Sequence, residues 1–562
     1  MDSRGRRIMN KYIVTVIDTT GIQKYIFGSN RLKENVGASY LVKLATGDWI
    51  TDHNWINDCL RKLGNVYIPD VASNQLEPRI YQDSKIIAEL IYFGGGNTFL
   101  LFRDTEENYA QQFTKLLTKK ILVEAPGLNV AIAHQPFEWN GEKPLRDIIK
   151  YDLIKGKLDI QKRKPISSYP LLGLSVTAAC VSTGLVGAET REIDGITRTL
   201  SREAISKLDI ADPNANNYLK KIIFDENKIR KRNEQYDIPY DVDDLGRSEN
   251  ESSYMAVIHI DGNQMGKRFE NYAEIQSNDQ EFIIAMRELS WGVSQASQNA
   301  LEAVSQAVIN LINEDKFKIK DNYLPFRPIV YGGDDVNFVC DGRLGLSLAV
   351  KFLEKFEEFT QDLPSKNGKE KVTACAGIAI VKTHYPFSKA YDLSKSLCSN
   401  AKKFVREETD NYSGKQPIFS ALDWHIASSS LLGSISEIRE REYRVQIPEY
   451  DKIAHLNMRP LRSHPYPDEW RTWTGFLKVV NYFNTHPDHK DRRNKVMALR
   501  EVLRQGKKAT EQYIQAYGLK LPDFPNANSL LAKEGWWKDR CGYFDAIEAM
   551  DFYIPLEAEA NE

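Results

Sequence analysis

Apolar and polar positions along the chain spell out an alternation of strand and helix patterns that is written twice. In the second copy, Tyr254 to Ile260 reads as a strand that ends at Asp261. A long helical pattern runs from Glu281 to Ile312, with Gly292 as its one breaker. Two β-prone runs, Pro328 to Tyr331 and Val336 to Val339, flank Gly332-Gly333-Asp334-Asp335, which is the pattern of a hairpin with a tight turn. A second helix is expected from Leu344 to Asp362, before Pro364, then a strand from Lys371 to Val381 and a third helix from Ser388 to Val405. The order is βαββαβ plus a helix, a ferredoxin-like arrangement.

The N-terminal stretch repeats that order. Strands are expected at Ile13 to Asp18, Ile86 to Phe93, Thr98 to Phe102 and Leu128 to Ala133, and helices at Gly37 to Leu60 and Asn108 to Leu122. The run Val16 to Gln23 aligns with Val257 to Gln264, and Tyr92 to Asn97 with Val330 to Asp335. Ala131 to Phe137 resembles Ala379 to Phe387 with a two-residue gap. In this alignment Thr20 stands at Asp261, and Gly96 and Asn97 stand at Asp334 and Asp335, so the first copy is expected to keep the fold and lose all three acids.

At 562 residues the chain exceeds one ordinary domain of about 150 residues. The divisions expected are 1–140, a degenerate copy; 141–253, helical with an acidic linker; 254–424, the copy with acids; and 425–562, mostly helical. A net charge of -2 excludes a globally basic nucleic-acid binder. No run approaches the ~18 apolar residues of a membrane span. The six cysteines form no C-x-x-C pair, which argues against a zinc ribbon and for buried thiols in a reducing, cytoplasmic setting.

Gly332 to Asp335 carries the chemistry. Glycines admit positive φ and close approach of a bulky anion, and carboxylates at a turn suit Mg2+ or Mn2+ with substrate phosphates. Gly-Gly-Asp-Asp is also ordinary turn sequence; the joint loss of Asp261, Asp334 and Asp335 from the other copy favours function. Adjacent strand residues point to opposite faces, so Asp261 and Asp334 are expected as the primary ligands, with Asp335 a second ligand or a helper in deprotonating a 3′-hydroxyl. The amides of Gly262, Asn263 and Gly266 are expected to cradle phosphate. Tyr331 is expected to stack on a base or only to pack, and His259 to be a hydrogen-bonded core histidine ahead of a general base. Gly95 and Asn97, in the turn Gly94 to Asn97, are expected to bind a second nucleotide without metal. Basic clusters at Lys228 to Arg232 and His489 to Arg493 read as solvated faces ahead of RNA contacts.

The chain resembles the large subunit of type III CRISPR effector complexes, the twin-palm polymerase/cyclase family. The resemblance is carried by G-I-Q-K-Y-I-F (Gly21 to Phe27), R-L-K-E-N-V-G-A-S-Y-L-V (Arg31 to Val42), G-L-S-V-T-A-A-C-V-S-T-G (Gly173 to Gly184), Y-G-G-D-D and A-L-D-W-H (Ala421 to His425). It implies an α+β fold of two ferredoxin-like palm domains, an intervening helical domain and a C-terminal helical bundle. It also implies synthesis of cyclic oligoadenylates from ATP in antiviral defence, often switched on by target RNA. Lys402 matches the family lysine that reaches the triphosphate, and Gly332 and Gly333 in the turn are expected to let the nucleotide approach closely.

Several features depart from that family. No His-Asp dipeptide occurs, and the first palm begins within about a dozen residues of Met1, so DNase activity is not expected. Cys180 has no zinc partner nearby, and Tyr331 replaces a frequent Ser, which leaves the base open. The leading expectation is a nucleotidyltransferase that converts NTPs, ATP foremost, into a cyclic nucleotide or oligonucleotide. The alternative is a scaffold subunit of an RNA-guided complex, with RNA and effector subunits as partners; a templated polymerase ranks below both. A homodimer stays open.

Overall fold

The computed structural model describes residues 11–556, apart from 50–52, 95, 165–172, 174–175, 194, 225–235, 246–253, 320, 412–416, 428–432, 448–451, 468 and 487–492. The basic cluster at 228–232 and most of the one at 489–493 lie outside the described residues, as does Gly95.

The first palm contains β1 (Lys11–Thr20), α1 (Ile22–Phe27), α2 (Leu32–Thr46), α3 (Trp55–Arg61), β2 (Val66–Tyr67), β3 (Ala88–Gly94), β4 (Asn97–Arg103), α4 (Tyr109–Glu124) and β5 (Asn129–Glu138). Its sheet order is β2-β3-β4-β1-β5. The single helix expected over Gly37 to Leu60 is two, because the chain leaves the helical region at Gly47, φ 74. A helical run, α5 (145–162), follows, with Ile148–Leu158 wound as a π-helix.

The next segment, expected to be helical, also holds a hairpin, β6 (Glu189–Ile193) and β7 (Ile196–Leu200), before α6 (Arg202–Ile210) and α7 (Asn216–Ile223). The β-branched alternation T-R-E-I and I-T-R-T supports strands over helix there.

The second palm runs through β8 (Tyr254–Gly262), α8 (Met265–Glu274), α9 (Asp279–Asn313), β9 (Phe326–Val330), β10 (Asp335–Asp341), α10 (Gly345–Phe359), a short hairpin β11–β12 (Pro364–Ser365 and Gly368–Lys369), β13 (Ala374–Lys382) and α11 (Phe387–Asn411). Its sheet order is β15-β14-β13-β8-β10-β9, where β14 is Ala421–Ala427 and β15 is Leu461–Arg462. In both sheets the first strand sits between the third and the fourth, as the ferredoxin-like order requires. The C-terminal region holds helices such as α12 (Trp473–Thr485), but it also contributes β15 to the palm and a four-stranded sheet of its own. Buried pairs fasten it: Arg439 grips both oxygens of Asp423 on β14 at 2.6 and 2.8 Å.

The two palms share one helix. The N-terminal part of α9 packs Phe282, Ile283 and Met286 against the first palm's core, and its later turns pack Leu289, Val293, Ala300 and Val304 into the second. Arg287 is 0% exposed and donates to Glu89 Oε1 on β3 at 2.7 Å, to the Ile91 carbonyl at 2.9 Å and to the Leu76 carbonyl at 2.9 Å. Glu89 accepts from the amides of Arg79 and Ile80 with its other oxygen, so the buried pair is satisfied on both sides. One turn on, Ser290 donates to the Phe93 carbonyl, and one further turn on, Ser294 donates to the Gly332 carbonyl at 2.8 Å. A single helix face thus holds the strand end before the first palm's glycine turn and the glycine turn of the second.

Glu89→Ala should leave Arg287 buried and unpaired and lower stability by about 3–5 kcal/mol. Chemical denaturation measures it; a loss below about 1 kcal/mol would show that this pair does not carry the junction.

Candidate functional site

Asp261, one residue before the end of β8, stands directly opposite Asp335, the first residue of β10. Both lie on the face covered by α11. Asp334 precedes the strand, in the turn, and its backbone carbonyl accepts from the Gly262 amide at 3.2 Å. A Cβ on Gly262 would come within 2.9 Å of the Asp334 Cβ, so glycine is needed there for the acid to lean over β8. Gly332 has φ 107, which favours glycine at the turn. The pair that meets across the ladder is therefore Asp261 with Asp335, and not Asp261 with Asp334 as the strand-alternation argument expected: the strand starts one residue later, which frees Asp334 from the pleat.

Three carboxylates share this cleft. Burial, and then the charges of Asp261 and Asp335, push Asp334 up to about 7. Burial and the charge of Asp261 likewise push Asp335 up to about 7. Asp335 keeps 49% of its side chain accessible, so its desolvation is that of a cleft mouth, and the repulsion from Asp261 weighs correspondingly more. Asn337 donates to Asp335 at 2.9 Å, and His259 Nδ1 lies 3.0 Å from Asn337 Oδ1 and 3.4 Å from Asp335 Oδ1. His259 is buried, and that burial lowers its pKa, which matches a core histidine that braces Asn337.

Lys402 comes from α11. Its ammonium lies 2.7 Å from Asp261 and donates to the Gly262 carbonyl at 2.9 Å. Among the described residues no set of three His, Cys, Asp or Glu side chains converges closely enough, as positioned, to hold a metal ion. By chemistry the donors fit a hard divalent cation: they are carboxylate oxygens only, and two of them are raised by burial and by the charge of Asp261, which a dication relieves.

The phosphate cradle expected from the backbone is corrected in part. The Gly262 amide is spent on Asp334 and the Asn263 amide on the Thr373 carbonyl at 2.8 Å. The Asn263 side chain donates to Thr373 Oγ1 and the Phe419 carbonyl and accepts from Cys375, so it braces β13 and β14 and does not face a ligand. Gly266 stays exposed in the first turn of α8. Gly333 is open, with no atom within 4 Å of where a Cβ would stand. Tyr331 packs: the Lys43 ammonium lies 4.0 Å from its ring centre and Tyr218 stacks at 6.1 Å. Lys43 also pairs with Asp48 at 3.4 Å, a cluster from α2 and α7 that the sequence did not single out.

The first palm holds a counterpart. In β1 it is Asp18, not Thr20, that stands opposite Asn97, just as Asp261 stands opposite Asp335. The sequence alignment was anchored on Gly21 and Gly262, but β1 runs two residues past its acid while β8 runs one, so the glycines are out of step with the ladders. The first palm thus keeps one of the three acids. Lys162, at the end of α5, forms an ion pair with Asp18, and the Asn97 amide nitrogen lies 3.0 and 3.1 Å from its two oxygens in the orientation that satisfies both groups. The helix after the fourth strand supplies the lysine in both palms.

Residues 254–410 match the family described as Cas10/Cmr2, second palm domain. No curated protein matches the chain by sequence. Among solved structures, the chain resembles the Csm1–Csm4 cassette in complex with cA3 at 13% identity and TM-score 0.50, covering 98% of this chain and 70% of that one. It is similar to Csm1 of T. onnurineus at 12% identity and TM-score 0.49, covering 97% and 70%. The match to the Csm1–Csm4 cassette in complex with cA4, at 13% identity and TM-score 0.40, covers 70% of this chain and 53% of that one. The chain therefore spans between about half and seven tenths of the length of these relatives. Residues 254–410 are therefore similar to the Cas10/Cmr2 second palm domain, and a second ferredoxin-like sheet precedes them.

Proposed function

We propose that the chain is a nucleotidyltransferase that converts NTPs, ATP foremost, into a cyclic nucleotide or cyclic oligonucleotide. The observation that carries this reading is the meeting of Asp261, Asp334 and Asp335 at one sheet edge with Lys402 on the same side. The fold relative crystallised with cA3 accords with it. Asp261, Asp334 and Asp335 would hold Mg2+ or Mn2+, which when bound activates a hydroxyl and steadies phosphate charge. The protein's own groups do the rest. Gly332 and Gly333 leave room beside the acids for a nucleotide. Lys402 offsets phosphate charge next to Asp261. Asp335, half open at the mouth, is either a further ligand of that ion or the group that takes the proton of a 3′-hydroxyl.

A second reading, a scaffold subunit of an RNA-guided complex, draws on the cA3-bound fold relative being a cassette of Csm1 with Csm4. Copurification with small subunits and guide RNA would favour it.

Purified protein given each NTP with Mg2+ or Mn2+ should release pyrophosphate and yield a cyclic product. Asp334→Ala with Asp335→Ala should reduce this about a hundredfold or more while the melting temperature does not fall. No pyrophosphate from the parent, with or without candidate RNA, counts against the reading.

The acids also set a pH dependence. A carboxyl raised from 3.8 to about 7 binds its proton more tightly when folded. Its contribution is therefore fully present below pH 3.8 and is lost as pH climbs to about 7. Asp334→Asn should raise the melting temperature at pH 8 and leave it unchanged at pH 4, and Mg2+ should shrink the difference at pH 8. An equal shift at both pH values would contradict the charge crowding.

A further inference from the structure

Helix α11 turns one face to the acids. Tyr391, Lys395, Cys398 and Lys402 recur at the four- and three-residue spacing that places them along one side. The Tyr391 ring meets His259 edge-on at 5.8 Å, Cys398 donates to the Cys375 carbonyl at 3.2 Å, and Lys402 lies on Asp261. Lys395 falls between the first and last of these, two turns and about 10 Å of helix before Lys402. Its ammonium lies 2.5 Å from Gln23 Oε1, on α1 of the first palm. Phe27 of the same α1 stacks on Tyr391 at 3.8 Å. Lys395 thus stands where the first palm meets the acid cleft of the second.

Lys402 is already engaged by a carboxylate. Among the described residues Lys395 forms no ion pair, and its hydrogen bond goes to a neutral amide. It is half-buried, and its charge is felt at both Asp335 and His259. A lysine fixed by an uncharged tether within reach of Asp335, yet paired with no carboxylate among the described residues, keeps its charge available for a ligand. A ligand that brings its own negative charge to a cleft lined by acids needs such a cation.

We infer that Lys395 is a phosphate-binding residue, held at the palm junction by Gln23 to take a phosphate group of a nucleotide lying between the two palms. The inference rests on the nucleotide reading of the site given above. Lys402 answers for charge at Asp261, and Lys395 for charge two turns away, toward α1.

Titration calorimetry of the full chain with the β,γ-imido analogue of ATP, in Mg2+, tests it. Lys395→Ala should weaken binding about tenfold, the loss of one charge-assisted hydrogen bond, and Lys395→Arg should restore most of it. Lys395→Gln keeps a polar partner for Gln23 without the charge and should weaken binding as the alanine does. If Lys395 only pins α1 to α11, Lys395→Gln will bind like the parent, which overturns the inference and leaves the nucleotide site standing. A parent that binds no analogue overturns both.

Discussion

One buried ion pair ties the long helix α9 to the sheet of the first palm, and the register of the two palms depends on it. Arg287 leaves the helix of one palm and ends inside the sheet of the other, where Glu89 and the carbonyls of Leu76, Leu90 and Ile91 receive it. A guanidinium taken out of water is costly unless every donor is met, and here the sites that meet it belong to a different domain. Two ferredoxin-like sheets joined only by apolar packing could slide. The directional bonds of Arg287, Ser290 and Ser294 define a register between them, because each reaches a fixed backbone or side-chain atom. The glycine turns at the two sheet edges inherit that register.

Around this frame the site is built against the grain of stability. Three carboxylates occupy one edge, and burial and repulsion raise two of them. Core groups brace the arrangement: His259 and Asn337 steady Asp335 from below, and the absent side chain of Gly262 makes room for Asp334. Charge crowding of this kind persists where surrounding packing over-determines it, and it marks functional sites more often than structural ones.

Much of this was legible in the sequence. Alternating apolar positions gave the strands of both palms within a few residues, and the glycine-acid turn pointed to the site. What was lost was register. A sequence alignment follows matching letters, so Gly21 was set against Gly262, whereas the ladder pairs Asp18 with Asn97. Which amides remain free is likewise a property of neighbours distant in sequence: Asn263 is consumed by Thr373 and Phe419, more than a hundred residues away. The C-terminal sheet was missed because its strands are two to four residues long, too short for a period of two to show. Lys395 left a trace in its seven-residue spacing from Lys402, but only the docking of α1 gives that spacing a meaning.

The two palms differ at the ladder position where an asparagine stands in one and an aspartate in the other. Asn97 gives Asp18 hydrogen atoms; Asp335 gives Asp261 only another negative charge. The same strand pair is thereby a closed circuit in one half of the chain and an open one in the other. The molecule carries its own reference state, in which an amide and a lysine already supply what the acidic half must draw from outside.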